Sequence, residues 1–434
     1  MNFEEFVIKF VDALQVLDSR GDPTVEVVVV TKGGGIGRAI APAGASKGKY
    51  EAIELRDGDP KKFLGKSVLK AVDNVRRYLG PAIIGMDSRK QRDIDRVLRE
   101  VDGTPNKSRM GANAMIATSM AVAKAAAETA RIPLFQYLGG AKARILPIPM
   151  LNIINGGAHA GNELAVQEFL IVPLNFDSFS EALRASVEVY KHLKSYLKET
   201  YGASAVNVGD EGGFAPPMRK TEEAIHALME AIKRSGYVPG NDIAISLDAA
   251  ATQFYDEERK VYRIDGLELK EDELLEYWLK LFERYPILSI EDPFHEEAFE
   301  AFAKLRNAIR GKVIIVGDDL TVTNVDRLRT AIERGSVGGV IVKPNQIGTL
   351  SETFDFIELA KVSGIHTIIS HRSGESEDST IAHIAVAFGG PFIKTGAPAR
   401  GERTAKYNEL LRIEHYLGGE AIYASKVYSI PRPR

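Results

Sequence analysis

The chain has 434 residues, 44% hydrophobic and 26% charged, with a formal net charge of −3 and no cysteine. That length exceeds one small core and predicts about two domains. Near-neutral charge removes the general electrostatic reason to bind nucleic acid or an anionic membrane, and the lack of cysteine excludes disulfides, thiol nucleophiles and Cys-ligated zinc or iron–sulfur sites, as suits a cytoplasmic protein.

The amino terminus, MNFEEFVIKF, is acidic and lacks the basic flank and long apolar core of a signal peptide. TVEVVVV (24–30) reads as a strand, KGGG (32–35) as a turn, and GRAIAPA (37–43) as its antiparallel return. Helical stretches are expected around 66–79, 88–100 and 110–130. The most apolar of these, ANAMIATSMAVAKAAA (112–127), is short and interrupted by Lys124, so it predicts a buried helix and not a membrane span. Together they predict an α+β domain over residues 1–138.

Residues 139–434 form the expected second domain, and from about 240 a repeating pattern takes over. A β-branched run ends in a charged residue and an amphipathic helix follows. The runs are IAISLD (243–248), ILSIED (287–292), VIIVGDD (313–319), GVIVKPN (339–345), TIISHR (367–372) and FIKTG (392–396). Strands apolar on both faces, alternating with helices, predict a parallel sheet covered by helices. The repeat favours a TIM-type (β/α)8 barrel, with a doubly wound open sheet as the alternative. The basic, proline-broken end, SIPRPR, predicts a frayed tail.

The residues closing the runs are Asp248, Glu291, Asp318, Lys343, His371 and Lys394. In parallel barrels the carboxyl ends of the strands face one mouth, so the pattern aims all of them at one pocket. A single such residue reads more readily as a helix cap or rim charge than as a site residue; the register of all six is what indicates a site. Three carboxylates, no cysteine and no paired histidines suit a hard, oxygen-seeking cation such as Mg²⁺, with Mn²⁺ as a substitute. Lys343, near Lys394, Arg372 and a metal, meets the condition for a lowered pKa and hence for a base. Arg372 and Ser373 can hold a phosphate or carboxylate. Phosphate-loop and zinc motifs fail: GASKGK (44–49) lacks its terminal Ser/Thr, and FHEEAF (294–299) lacks a second histidine.

DSRGDPTVEV (18–27), GASKGKYEA (44–52), NGGAHAGN (155–162), GDEGGFAP (209–216), SIEDPF (289–294), DDLTVTN (318–324), KPNQIGTLSE (343–352), SHRSGE (370–375) and IKTGAPARGER (393–403) stand in the order of the enolase family, which the chain resembles over almost its whole length. The resemblance implies reversible dehydration of 2-phosphoglycerate to phosphoenolpyruvate, with two Mg²⁺ per site. It also implies an N-terminal α+β domain followed by a barrel whose opening departs from simple β/α repetition, and a homodimer or an assembly of dimers. By the same resemblance Asp248, Glu291 and Asp318 ligate the tighter ion and Ser46 the second. Lys343 is the base, Glu211 the acid, and Glu168 supports the acid. His159, Gln167, Glu168, Arg372, Ser373 and Lys394 meet the substrate, and His371 joins the catalytic set. Loops near 37–48, 155–162 and 250–260 are candidate lids. Asp22, Ala43, Lys47 and Pro344 depart from common family residues, and none is a proposed catalytic position. The competing readings are a sister lyase of the superfamily, a Schiff-base aldolase using Lys343 or Lys394, and a non-enzymatic scaffold.

Overall fold

The computed structural model describes residues 2–45, 48–157 and 160–433. Its first sheet is antiparallel, in the order β1 (Ile8–Leu17), β2 (Pro23–Thr31), β3 (Ile36–Ile40). β2 and β3 are the hairpin read from the sequence. β1 is not announced by the pattern, because its alternation breaks at Lys9-Phe10, where the register with β2 shifts. Val25, Val27 and Val29 on one face of β2 are fully buried against the helix Ala112–Ala130. That helix is buried along nearly its whole length, as its composition predicts. Among the described residues no helix is long and apolar enough to cross a membrane.

The barrel closes with eight strands: β4 (Ile148–Asn155), β5 (Glu168–Pro173), β6 (Ile243–Asp248), β7 (Ile287–Glu291), β8 (Ile314–Gly317), β9 (Gly339–Val342), β10 (His366–Ser370) and β11 (Phe392–Lys394). Closure rules out the open doubly wound sheet. From β6 through β11 to β4 all neighbours are parallel, whereas β5 runs antiparallel to both β4 and β6. The opening therefore departs from β/α repetition, with the helices Phe179–Tyr201 and Thr221–Arg234 both following β5. The reversal matters for the site, because the first residue of β5, not its last, reaches the mouth. Helices cover the outside, and their starts follow local chemistry. Ser178, Asn324 and Thr349 accept backbone N–H bonds at the starts of Phe179–Tyr201, Val325–Glu333 and Leu350–Val362.

Two expectations change in detail. The segment after β6 is not a plain loop: residues 255–269 form a small three-stranded antiparallel sheet. The carboxyl end is laid down rather than frayed, with Arg432 donating to the carbonyl of Asn241 at 3.3 Å and Pro433 packed on Gly240.

Candidate active site

All six strand-end residues fall where the repeat places them. Asp248, Glu291 and Lys394 are the last residues of β6, β7 and β11, and Asp318, Lys343 and His371 lie one past β8, β9 and β10. Asp248, Asp318, Lys343, His371 and Lys394 line one cavity of ≈ 30 Å³ with Gln167, Glu168, Glu211, Arg372 and Ser373. Glu291 is not among the lining residues and joins the site through its ion pair with Lys394.

Lys394 organises one wall. Its Nζ lies 2.8 Å from Asp248 Oδ2, 2.8 Å from Glu291 Oε2 and 3.0 Å from Glu168 Oε2. Burial opposes the ammonium charge, but Asp248, Glu168 and Glu291 outweigh it and raise Lys394 well above the ordinary lysine range. Burial, aided by Glu211, pushes Glu168 well up; burial and Asp248 do the same to Glu291. Glu168 and Gln167 arrive here because β5 is reversed, pairing Glu168 with Asp248 and Asn155.

Lys343 faces Asp318 in a short ion pair. Asp318 also accepts from Gln346 Nε2 at 3.0 Å, and Gln346 Oε1 in turn accepts from Thr323 Oγ1 at 2.8 Å. Burial pulls Lys343 toward neutrality, as do Arg372 and Lys394, but Asp318 reverses the balance and raises it. The lowered lysine expected from its positive neighbours is therefore not found while Asp318 is its partner. Asp318 is held low, Lys343 overcoming the effect of burial.

The third cluster surrounds Glu211, in the GDEGGFAP turn. Glu211 Oε2 accepts from Asn152 Nδ2 at 3.0 Å and lies 3.3 Å from His371 Nε2. The turn packs tightly: a side chain on Gly213 would place its Cβ 2.0 Å from Asn155 Oδ1. Asp210 contributes its carbonyl to Arg403 and is not among the residues lining the cavity. Burial lowers His371 to about 4, so its imidazole is neutral near pH 7.

Over the mouth lie residues 41–45 and 48–52. Ala43 pairs with Gly374, the amide of Ala45 donates to Ser373 Oγ at 2.6 Å, and Glu51 meets Arg372 at 2.8 Å. Burial works against Arg372, yet Glu51 raises it further. Ser46, Lys47 and His159 lie outside the described residues. Of the other departures, Asp22 pairs with Lys66 at 2.8 Å, and Pro344 opens the short helix Pro344–Ile347, where its fixed φ fits.

Residues that neither the strand-end pattern nor the family resemblance supplied are Asn152, Glu51, Gln346 and Arg403. Asn152 carried a signal, as a polar residue inside the fully buried β4. Glu51, Gln346 and Arg403 sit within the family motifs but come from other elements of the fold. The tightest acidic trio is Asp292, Asp318 and Asp319, which shares only Asp318 with the expected ligand set. Asp292 accepts the backbone N–H groups of Asp318 (3.0 Å) and Asp319 (2.7 Å), which assigns it to shaping that turn. Burial and Asp318 raise Asp319 to about 8.

The donor set fits a hard divalent cation. It consists of oxygens, and Glu291 Oε1 is buried with no hydrogen-bond partner among the described residues.

A closed barrel that gathers carboxylates, lysines and an arginine at its carboxyl mouth defines a barrel enzyme suited to proton-transfer chemistry on an anionic substrate. A family model described as enolase, N-terminal domain, matches residues 8–138, and one described as enolase, C-terminal TIM barrel domain, matches residues 143–430. Proteins named enolase from Methanocaldococcus jannaschii, Aeropyrum pernix and Methanopyrus kandleri are 54%, 55% and 56% identical to it over 428, 424 and 416 residues. These matches cover 99%, 98% and 96% of this chain and 99%, 98% and 97% of those proteins. The chain belongs to the enolase family and is a lyase; membership implies use of a divalent metal.

Proposed function

We propose that this protein interconverts 2-phosphoglycerate and phosphoenolpyruvate in glycolysis and gluconeogenesis, with Lys343 as base and Glu211 as acid. The observation that carries this reading is that one cavity holds both groups on separate sectors of the barrel wall, Lys343 after β9 and Glu211 against β4. Lys343 removes the proton at C2, next to the substrate carboxylate. Glu211 then protonates the hydroxyl leaving C3, so the C–O bond breaks to give water rather than hydroxide. Burial and the adjoining Glu211 raise Glu168, so this buried pair resists carrying two charges and keeps a proton that Glu211 can deliver. Arg372 and Ser373 hold the phosphate and thereby select which hydrogen faces Lys343; Gln167, Lys394 and His159 complete the substrate contacts.

Asp248, Glu291 and Asp318 would hold one Mg²⁺ and Ser46 the second, with Mn²⁺ as a substitute. Bound there, the ions supply Lewis-acid stabilisation of charge developing on the substrate carboxylate. When Asp318 and Glu291 are both so engaged, the surroundings of Lys343 are left with burial, Arg372 and Lys394, all of which favour the neutral amine a base requires. The three carboxylates around Lys394 hold it as an ammonium, which weighs against a Schiff base at that residue.

The same reading divides the chain into a capping domain (1–138) and a catalytic barrel (139–434). It assigns a cytoplasmic homodimer or an assembly of dimers. The test is formation of phosphoenolpyruvate from 2-phosphoglycerate, followed by ultraviolet absorbance. Activity is expected with Mg²⁺ and is expected to vanish with EDTA; no absorbance rise with Mg²⁺ rejects the reading.

A further inference from the structure

Arg403 is wholly buried and stands in the first turn of the helix Gly401–Leu417. Its Nη1 lies 2.5 Å from His371 Nδ1 and 2.6 Å from the carbonyl of Arg372. Its Nη2 donates to the carbonyls of Ser373 at 2.5 Å and Asp210 at 3.2 Å. A guanidinium has only donors, so the contact at Nδ1 has one chemical meaning: Nδ1 presents its lone pair, and the single proton of the ring is on Nε2. Nε2 faces Glu211 Oε2.

The ring cannot readily take a second proton. Protonation at Nδ1 would set N–H against N–H and place a second cation beside a buried one. Nor can Arg403 easily withdraw: its other bonds tie it to the 371–373 turn and to the residue before Glu211, and its stem is wedged against Gly396, where an added Cβ would lie 2.9 Å from Cδ. His371 is otherwise faced by Glu211 and Glu375, and Glu211 by Glu168, Lys394 and Tyr407. Burial is the largest influence keeping the ring neutral and Arg403 adds to it, while Glu211 and Glu375 pull the other way.

We propose that Arg403 is a positioning residue for the acid half of the reaction: it locks His371 as the neutral Nε2–H tautomer, so the ring cannot take the proton of Glu211. The proposal rests on the reading of Glu211 as the acid. With Nε2 already protonated and facing Oε2, the ring has no acceptor to offer Glu211. Without Arg403 the ring can adopt the Nδ1–H form, accept the Glu211 proton at Nε2 and leave an imidazolium–carboxylate pair with no acid for the leaving hydroxyl.

The experiment combines nitrogen NMR of the full chain labelled at histidine, assigned with His371→Gln, and kinetics of Arg403→Met. In wild type the His371 ring should carry hydrogen on Nε2 only and stay so from about pH 5 to about pH 8. In Arg403→Met it should become Nδ1–H or imidazolium, and C2-proton exchange should gain on dehydration by about tenfold or more. In the His371→Gln background, where the side chain cannot become a cation, adding Arg403→Met should leave that ratio unchanged. A wild-type ring that is Nδ1–H or titrates at the ordinary histidine pKa overturns the proposal, as does an equal change of ratio in both backgrounds. Should Arg403→Met not fold, the wild-type ring alone decides. The NMR needs no substrate, so failure of wild type to dehydrate 2-phosphoglycerate would count against the preceding reading and not against the tautomer.

Discussion

Lys343 and Lys394 are placed at strand ends by the same alternation, yet their surroundings give them different tasks. Three carboxylates hold Lys394 charged, whereas Lys343 has one principal partner, Asp318. Replacing Lys343 by alanine is expected to lower both C2-proton exchange and dehydration by about 10²-fold or more. Glu211→Gln is expected to lower dehydration by a similar factor while preserving exchange, since the base is untouched. Equal loss of both activities in Glu211→Gln, followed by isotope exchange and absorbance, would mean acid and base are misassigned. Glu51 raises a separate point, because it occupies the guanidinium assigned to the phosphate. Removing one partner of a buried ion pair costs about 3 kcal/mol, because the other charge stays buried. Glu51→Gln should therefore lower the melting temperature of the ligand-free protein, and inorganic phosphate should restore it more than it stabilises wild type. Equal phosphate responses would show that Glu51 and phosphate do not share Arg372.

Among elements, the strand-and-helix repeat from β6 onward was legible because each strand is apolar on both faces and each ends in an ionisable residue. The reversed β5 was not: EFLIVP is as continuously buried as its parallel neighbours, and burial carries no sign of direction. Gln167 and Glu168 reach the mouth through that reversal, so no strand-end rule could find them. In the N-terminal sheet the close approach of β3 to the helix Ala112–Ala130 depends on Gly37, whose added Cβ would lie 1.8 Å from the carbonyl oxygen of Ala121. Backbone cannot yield as a flexible side chain does. Gly37→Ala is expected to destabilise the protein by about 3 kcal/mol, read as a lower urea midpoint. An unchanged midpoint would show that the sheet shifts without cost.

At the scale of the whole molecule, side chains of the first 138 residues complete and fasten the barrel. Lys124 meets Asp378 at 2.7 Å, Lys107 meets Glu352 at 2.8 Å, and Asp95 accepts from Ser351. Asp378 is buried, which by itself would raise its pKa, but Lys124 and nearby hydrogen bonds bring it down to about 2. A carboxylate depressed in the folded state adds stability that is fully present above its unfolded pKa of about 3.9 and is lost as pH falls through the folded value. Asp378→Asn should therefore cost about 2 kcal/mol at neutral pH, with the difference from wild type shrinking between about pH 4 and about pH 2. Denaturation midpoints measured across that range check the sign; a difference that grows on acidification would exclude the assigned role.

The sequence by itself determined the barrel class, the six strand-end residues and their common mouth, because a two-residue strand period and a repeated strand-end charge are local facts. Its motifs also marked the enolase family. Only the tertiary structure decided which charges become partners: Asp318 with Lys343, Glu51 with Arg372, and Arg403 with His371. These pairs join residues 25, 321 and 32 positions apart, from strands, a covering segment and an outer helix. Burial also strengthens each charge's hold on its neighbour, so the expected low pKa of Lys343 gave way to its pairing with Asp318, a consequence of packing that no spacing in the chain expresses.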